Sequence, residues 1–330
     1  MKAVRFHQTG GPEVLIVEEV PEPSAGSTEV IIRVQAAGVN FADVLRRRGD
    51  PYPELSPTPF TLGAEVAGEV VEVGSDVTKV SVGEFVYSPC RAGGYAQYVS
   101  VPESSAIPVP LGVTAAQATT LVIQGLTALF ALRDAGRLVR GESVLVEAAA
   151  GGVGSFAVQL AKLYGALNVI GATSSKQKQE FALSLGADNV VDYTAPDWPT
   201  QVKELTGGVG VDVLLEMTGG TTFHQALDAL APFGRMVVYG QSSGEAVSID
   251  PQIVVVPNQS IVGFYIGGYF QRPEIIQKGI EEIVGHVTAG RLSLEIGTIL
   301  PLEMAAEAHR LLEGRLTTGK VVLEPWSSPS

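Results

Sequence analysis

The sequence holds a single cysteine, Cys90, in 330 residues. One cysteine cannot close an intrachain disulfide, and it cannot build a multi-cysteine zinc site. Basic residues are also scarce: 22 Lys plus Arg stand against 35 Asp plus Glu, a formal net charge of −13. A general nucleic-acid binder presents a basic surface, so this balance disfavours that class. A local phosphate site stays open, because backbone N–H groups with one or two cations suffice for it. The histidines number four, His7, His224, His286 and His309, with no i, i+4 pair and no cysteine neighbour. The first 14 residues lack the apolar stretch of a signal peptide. No apolar run is read that reaches the ~18 residues of a spanning helix without a charge or turn residue. A cytoplasmic protein with no membrane or nucleic-acid partner is the expectation.

What is present is a chain long enough for two domains and a sizeable core. Hydrophobic residues make up 45%, charged residues 17%, and mean hydropathy is +0.24, which excludes a largely disordered chain. Glycine is in excess at 38 residues, with no collagen period.

Residues 1–110 read as β-rich, with strand-like runs at 30–34, 66–73, 85–87 and 95–99. Gly, Pro, Ser and Asp separate them, and a short helix is predicted at 41–47. The pattern changes near residue 112. Thr114 can cap a helix over 115–132. Strands at 143–148, 168–172, 190–193, 211–217 and 236–240 then alternate with helices at 153–164, 176–185 and 223–230. Apolar strands alternating with helices predict a parallel sheet covered on both faces. Helices at 273–289 and 302–312 and a last strand at 320–324 complete the chain.

The strand at 143–148 runs into Ala149-Ala150-Gly151-Gly152-Val153-Gly154 and then a helix. Strand, glycine turn and helix are the setting of a dinucleotide fingerprint. Ala149, Gly151 and Gly154 take its three glycine positions. Gly151 would admit a pyrophosphate to the backbone, Gly154 would allow close helix packing, and the helix N-terminus would supply N–H groups. A tight turn without a ligand is the alternative. The next strand ends in Thr173-Ser174-Ser175-Lys176-Gln177-Lys178, with no acid. A carboxylate there would bond the 2′-hydroxyl of NADH, whereas Ser and Lys suit a 2′-phosphate. NADPH is therefore favoured, against the alternative that Lys176 and Lys178 are solvated residues of a helix start.

These residues also carry a resemblance. The stretch 148–154, Gln159-Leu-Ala-Lys162, Leu185-Gly-Ala-Asp188 and Tyr193 resemble the zeta-crystallin-like quinone oxidoreductases. So do Gly38-Val-Asn-Phe-Ala-Asp43, Gly63-Ala-Glu-Val-Ala-Gly68, Ala308-His309 and Thr318-Gly-Lys-Val-Val322. That family is a zinc-free branch of the medium-chain dehydrogenases/reductases, and the likeness spans essentially the whole chain. It implies an α/β protein with a GroES-like β-rich domain (residues 1–122 and 267–330) and a Rossmann doubly wound parallel-sheet domain (123–266). The active site is expected in the cleft between them. Zinc-dependent relatives carry a histidine where this chain has Ala64, and a cysteine in the stretch 39–43, which has none here.

Site residues follow from the same likeness. Asn40 is expected to face nicotinamide and substrate, with helix N-capping as its alternative. Tyr52 would reach a carbonyl oxygen or donate a proton, or else be an exposed loop tyrosine. Gln124 and Thr127 belong on the nicotinamide side, or are polar residues of a half-exposed helix. Ala150, Gly151, Gly152, Val153 and Gly154 form the phosphate loop. Ser174, Lys178 and Tyr193 take the 2′-phosphate and adenine end. Thr218, Gly240, Gln241 and Ser242 lie at strand ends beside the nicotinamide ribose. Phe264 would wall the pocket or be core. Arg315 would lie near the cofactor or simply end a surface helix. The implied activity is NADPH-dependent, zinc-independent hydride transfer to a quinone or similar conjugated carbonyl. An enoyl-thioester or alkenal reductase and a non-enzymatic NADPH-binding protein are the alternatives. A homodimer through strand 260–266 is the family default.

Overall fold

The computed structural model describes residues 1–328. The chain divides into two compact units: Met1–Ile123 with the segment from Leu294 onward, and Gln124–Ser293.

The first unit is β-rich. Strand Glu29–Val39 lies at its centre, paired antiparallel with Glu65–Val73, Tyr98–Pro102 and Lys320–Glu324. Along it Val30, Ile32 and Val34 are fully buried, the period-two spacing of side chains on one face of a strand. They join Val66, Val70, Val86 and Val321 in one core. The late strand Lys320–Glu324 is thus inserted beside residues 37–39, with Val321 opposite Val39. Helix Phe41–Arg48 follows the central strand directly and ends on Gly49 in the left-handed region, φ 82°. Its Arg47, with no exposed surface, forks onto both carboxylate oxygens of Glu313 at 2.6 and 3.1 Å.

The second unit is a six-stranded parallel sheet among the described residues. In space the strands run Asn189–Asp192, Asn168–Thr173, Ser143–Glu147, Val211–Glu216, Leu230–Val238, Ser260–Gly263. In chain order that is 3-2-1-4-5-6, the Rossmann arrangement. Val144-Leu145-Val146 and Val213-Leu214-Leu215 have no exposed surface, as strands covered on both faces require. The strand order reverses between Ser143–Glu147 and Val211–Glu216, and the carboxyl ends at such a reversal are where open α/β sheets hold ligands.

Four expectations differ from what is observed. The second unit runs on to Ser293 instead of ending at 266. Helix Pro273–Thr288 packs on helix Leu126–Phe130, and a methyl on Gly279 would sit 2.7 Å from the Phe130 ring. The helix expected over 115–132 is not continuous α: α turns at Ala115–Ala118 and Leu126–Phe130 alternate with π turns at Leu121–Gly125 and Ala131–Ala135. This stretch, Ala115–Ala135, is also long and apolar enough to cross a membrane, although no apolar run of that length was expected. With 78% of its most apolar window buried inside the protein, it has the character of a core helix. Finally, the strand expected at 95–99 begins at Tyr98.

Candidate active site

The glycine turn in the second unit is tightly made. Ala148 takes φ +48°, a left-handed conformation unusual for a residue with a Cβ, and Gly151 N–H closes on Ala148 O at 2.7 Å. Helix Gly152–Leu163 then starts from Gly151, whose backbone is extended. No side chain caps this end, so its first-turn N–H groups point out unclaimed by a cap. A methyl on Gly154 would lie 2.2 Å from Ala148 O, so only glycine lets the helix seat on the turn. A methyl on Gly152 would strike the Gln124 carboxamide. Gln124 Oε1 is itself buried without a partner. An orphaned acceptor beside an uncapped helix end fits a ligand held on this loop. Ala150 is buried and offers only backbone, while Val153 is half-buried.

The acid-free strand end gathers three candidates. Thr173 pairs with Asp192 in register, and Tyr193 N–H donates to Thr173 O at 3.1 Å. Tyr193 therefore lies beside Ser174. Ser175 caps helix Lys176–Ser184 by accepting from Lys178 N–H at 3.4 Å, which holds half-buried Lys178 in the first turn. Thr173 Oγ1 is buried without a partner at the same place. No carboxylate occurs from Thr173 to Gln179.

At the reversal of strand order lie two carboxyl groups that the sequence did not single out. Glu147 and Glu216 end adjacent strands, and neither has exposed surface. Glu147 Oε2 accepts from Thr218 Oγ1 at 2.7 Å and Met217 N–H at 3.2 Å. Glu216 Oε1 accepts from Thr218 N–H at 2.9 Å and Gly219 N–H at 2.5 Å. Burial and the neighbouring Glu216 push Glu147 up to about 8, and burial also raises Glu216. The pair thus keeps a proton at neutral pH and ties down the 217–219 turn. Ser242 N–H donates to Met217 O at 2.9 Å, and Gly240 lies against Met217, so Thr218, Gly240 and Ser242 form one cluster. Gln241 is exposed and donates to Glu245 O. Gly240-Gln-Ser242-Ser-Gly244 has nucleophile-elbow spacing, but no helix follows, and Ser242 Oγ lies 3.5 Å from Met217 Sδ.

Phe264 packs on Tyr269, which stacks on Phe130 at 4.7 Å, so its ring belongs to an aromatic cluster of the second unit. Thr127 is buried in the same region. Arg315 lies in the first unit, exposed, with φ +54° just past helix Ala305–Glu313.

In the first unit Asn40 stands at the N-cap of helix Phe41–Arg48 and shares a capping box with Asp43, although its side chain makes no full capping hydrogen bond. The Asp43 carboxylate instead accepts Asn40 N–H at 2.9 Å. The Asn40 carboxamide donates to Glu65 Oε1 at 2.8 Å and accepts from Lys320 Nζ at 2.9 Å. Lys320 also donates to Glu65 Oε1, and Ile123 N–H donates to Glu65 Oε2 at 3.2 Å. Behind this group Asp43 accepts from Tyr95 OH, which bonds His309 Nε2 at 3.2 Å. Burial raises Asp43 to about 6, against the pull of the Asn40 and Gly63 N–H groups, and lowers His309 to about 3. Tyr52 is half-buried, its ring 5.4 Å from the Arg46 guanidinium, which also bonds Ser56 Oγ and so braces the 50–57 loop. Sequence reasoning quoted Glu65 and Lys320 within motifs but gave them no role. The available signal was a lysine leading directly into Val-Val-Leu.

Comparison with known families matches residues 26–111 to the alcohol dehydrogenase GroES-like domain and 152–284 to zinc-binding dehydrogenase. Quinone oxidoreductase from Pseudomonas aeruginosa is 37% identical, covering 98% of this chain and 99% of its own. The chain belongs to the quinone oxidoreductase family of the medium-chain dehydrogenases/reductases. A 2-haloacrylate reductase from a Burkholderia species is 36% identical over 98% of both chains. The crystal structure of Escherichia coli quinone oxidoreductase complexed with NADPH matches with a TM-score of 0.92 at 32% identity, covering 98% of this chain and all of that one.

One of the matching family descriptions names zinc, but the residues here do not fit that ion. Ala64 has no donor atom, and Asn40 offers an amide already engaged on both sides. The Lys320 ammonium neutralises Glu65 and would repel a second cation. Burial and the nearby Glu65 and Asp43 raise the Cys90 thiol far above its ordinary value, against thiolate formation. Among the described residues no three His, Cys, Asp or Glu side chains assemble a metal site.

Proposed function

We propose that this member of the family is an NADPH-dependent, zinc-independent oxidoreductase whose acceptor is a quinone or similar conjugated carbonyl. The observation that carries the cofactor choice is the acid-free strand end, where Ser174, Lys178 and Tyr193 gather one strand away from the uncapped helix Gly152–Leu163. When bound, NADPH supplies a hydride from its nicotinamide. The N–H groups of 151–154 would hold the pyrophosphate, and Ser174 and Lys178 the 2′-phosphate, with Tyr193 at the adenine. Gln124, Thr127, Thr218, Gly240 and Ser242 would orient the nicotinamide end, with Gln241, Phe264 and Arg315 as outer contacts. Asn40 would donate an amide proton to the acceptor oxygen, stabilising charge that develops there. Tyr52 would add a second hydrogen bond.

The 2-haloacrylate reductase relative favours a second reading, reduction of an activated carbon–carbon double bond. That reaction needs a proton donor at the carbon beside the carbonyl, and Tyr52 is the candidate. Oxidation of NADPH and NADH over benzoquinones, naphthoquinones and 2-chloroacrylate separates the readings. Quinone turnover with NADPH is expected to dominate. Lys178→Ala should lower the NADPH-over-NADH preference roughly 10- to 100-fold, the worth of a hydrogen bond to a charged group. An NADH preference in the unaltered protein would overturn the cofactor assignment. A cytoplasmic homodimer belongs to the same proposal. It is supported by the lone unpaired cysteine and by the open edge of strand Ser260–Gly263.

A further inference from the structure

Asn40, Glu65 and Lys320 form a closed ring of hydrogen bonds in which every partner touches the other two. Lys320 has no exposed surface and Glu65 only 2%. The central strand is notched to seat them: a Cβ on Gly38 would lie 2.6 Å from Glu65 Oε1 and 2.7 Å from Lys320 Cε. A buried ion pair contributes little net stability, so its value lies in what it orients.

The chemistry of the three groups permits one arrangement. An ammonium only donates, and a carboxylate only accepts. The carboxamide oxygen of Asn40 must therefore face Lys320, and its nitrogen must face Glu65. A flipped amide would set NH2 against NH3⁺ and C=O against the carboxylate, losing two charge-assisted bonds. One amide proton of Asn40 is left over. Because the amide oxygen accepts from a cation, that remaining N–H is polarised into a stronger donor.

We infer that Lys320, through its pair with Glu65, is a positioning residue that locks the Asn40 carboxamide so that an N–H, never the C=O, faces the acceptor oxygen. This rests on the reading of Asn40 as the acceptor-side contact. It explains how an uncharged side chain serves as an electrophilic contact without a metal, and it predicts a preference for acceptors that present a lone pair.

The test compares Lys320→Met with the charge-neutral pair Glu65→Gln/Lys320→Met, each with and without Asn40→Ala. The single variant strands Glu65 without its cation and is at risk of misfolding. The pair variant removes both charges with little change of volume. Its kcat with a naphthoquinone is expected to fall at least tenfold, with the Kd for NADPH unchanged within twofold. In the Asn40→Ala background the further loss should be under twofold, because the effect passes through Asn40. A second readout does not need turnover. The chain has four asparagines, so [15N]asparagine labelling gives four side-chain amide pairs. The Asn40 pair should be widely split, with one proton slow to exchange, and the split should collapse in the pair variant. Equal losses of kcat in both backgrounds, or an unchanged Asn40 signal, would overturn the inference. If the unaltered protein oxidises NADPH with no quinone, the functional reading falls, and the amide spectrum still decides the positioning.

Discussion

Gly152 and Gly154 stand two residues apart in one helical turn, and a methyl group meets a different obstacle at each. At Gly154 the obstacle is backbone, Ala148 O at 2.2 Å, held by the strained turn before it. At Gly152 it is the Gln124 carboxamide, the far end of a flexible side chain. Gly154→Ala should therefore cost roughly 1–3 kcal/mol of stability by overpacking. Gly152→Ala should leave stability within about 1 kcal/mol of the parent, because Gln124 can swing aside and alanine favours the helix. It should weaken NADPH binding if Gln124, the residue it displaces, holds the cofactor position proposed above. Urea unfolding and NADPH titration of the two variants check this, and a stability loss at Gly152 equal to that at Gly154 would contradict it. The glycine pattern was legible in the sequence because close approach of backbone leaves glycine as the only choice. Asn40 was legible only as two alternatives, since the residue before a helix is both a natural cap and a natural site. The structure adds the side chain's actual partners, Glu65 and Lys320, distant in sequence and therefore invisible to local spacing.

Strand ends are where the elements of the second unit meet chemistry, and the ends at Glu147 and Glu216 make a prediction of their own. Glu147 is raised from 4.5 to about 8 by burial and by Glu216. The native state holds a proton that the unfolded chain has released between those values. Stability is therefore greatest below about pH 4.5 as far as this group is concerned, and is lost as pH rises toward 8. Glu147→Gln keeps an acceptor for Thr218 and removes the titration. Thermal unfolding from pH 6 to pH 9 should show a steeper decline in Tm for the parent than for the variant. Parallel declines would show that Glu147 does not carry the effect. Buried apolar strands such as Val144–Val146 could be read directly from their continuous hydrophobicity. The interrupted helix at Ala115–Ala135 could not, because its residues favour a helix throughout and nothing local marks the π turns. The carboxyl pair was hidden for the same reason as Lys320: each glutamate looked like the polar end of its own strand, and the pairing exists only once the strands are adjacent.

At the level of the whole molecule, Ser260–Gly263 is an edge strand with one neighbour, Leu230–Val238. Phe264 N–H donates to Val238 O, so by strand alternation the N–H groups of Ile261 and Gly263 face the open side. Ile261→Pro removes an outward donor and leaves the inner ladder intact. Sedimentation should find a dimer for the parent and a monomer for this variant at micromolar concentration, with circular dichroism unchanged; a parent that is already monomeric would remove this edge as an assembly surface. The family resemblance put the start of the second unit at residue 123, and the compact unit begins at Gln124. It misplaced the far boundary because an amphipathic helix such as Pro273–Thr288 does not announce which core it covers. The division into units has a consequence for biosynthesis. Gln124–Ser293 is one uninterrupted stretch, whereas the first unit waits for residues from Leu294 onward. A ribosome therefore delivers the complete cofactor unit first. The ammonium that Glu65 needs arrives 255 residues after the carboxylate itself. A nascent or truncated chain that stops short of Lys320 exposes a carboxylate with no counter-charge in an unfinished sheet. Such a chain has every residue of its second unit but lacks the ammonium that holds the Asn40 carboxamide in the finished fold.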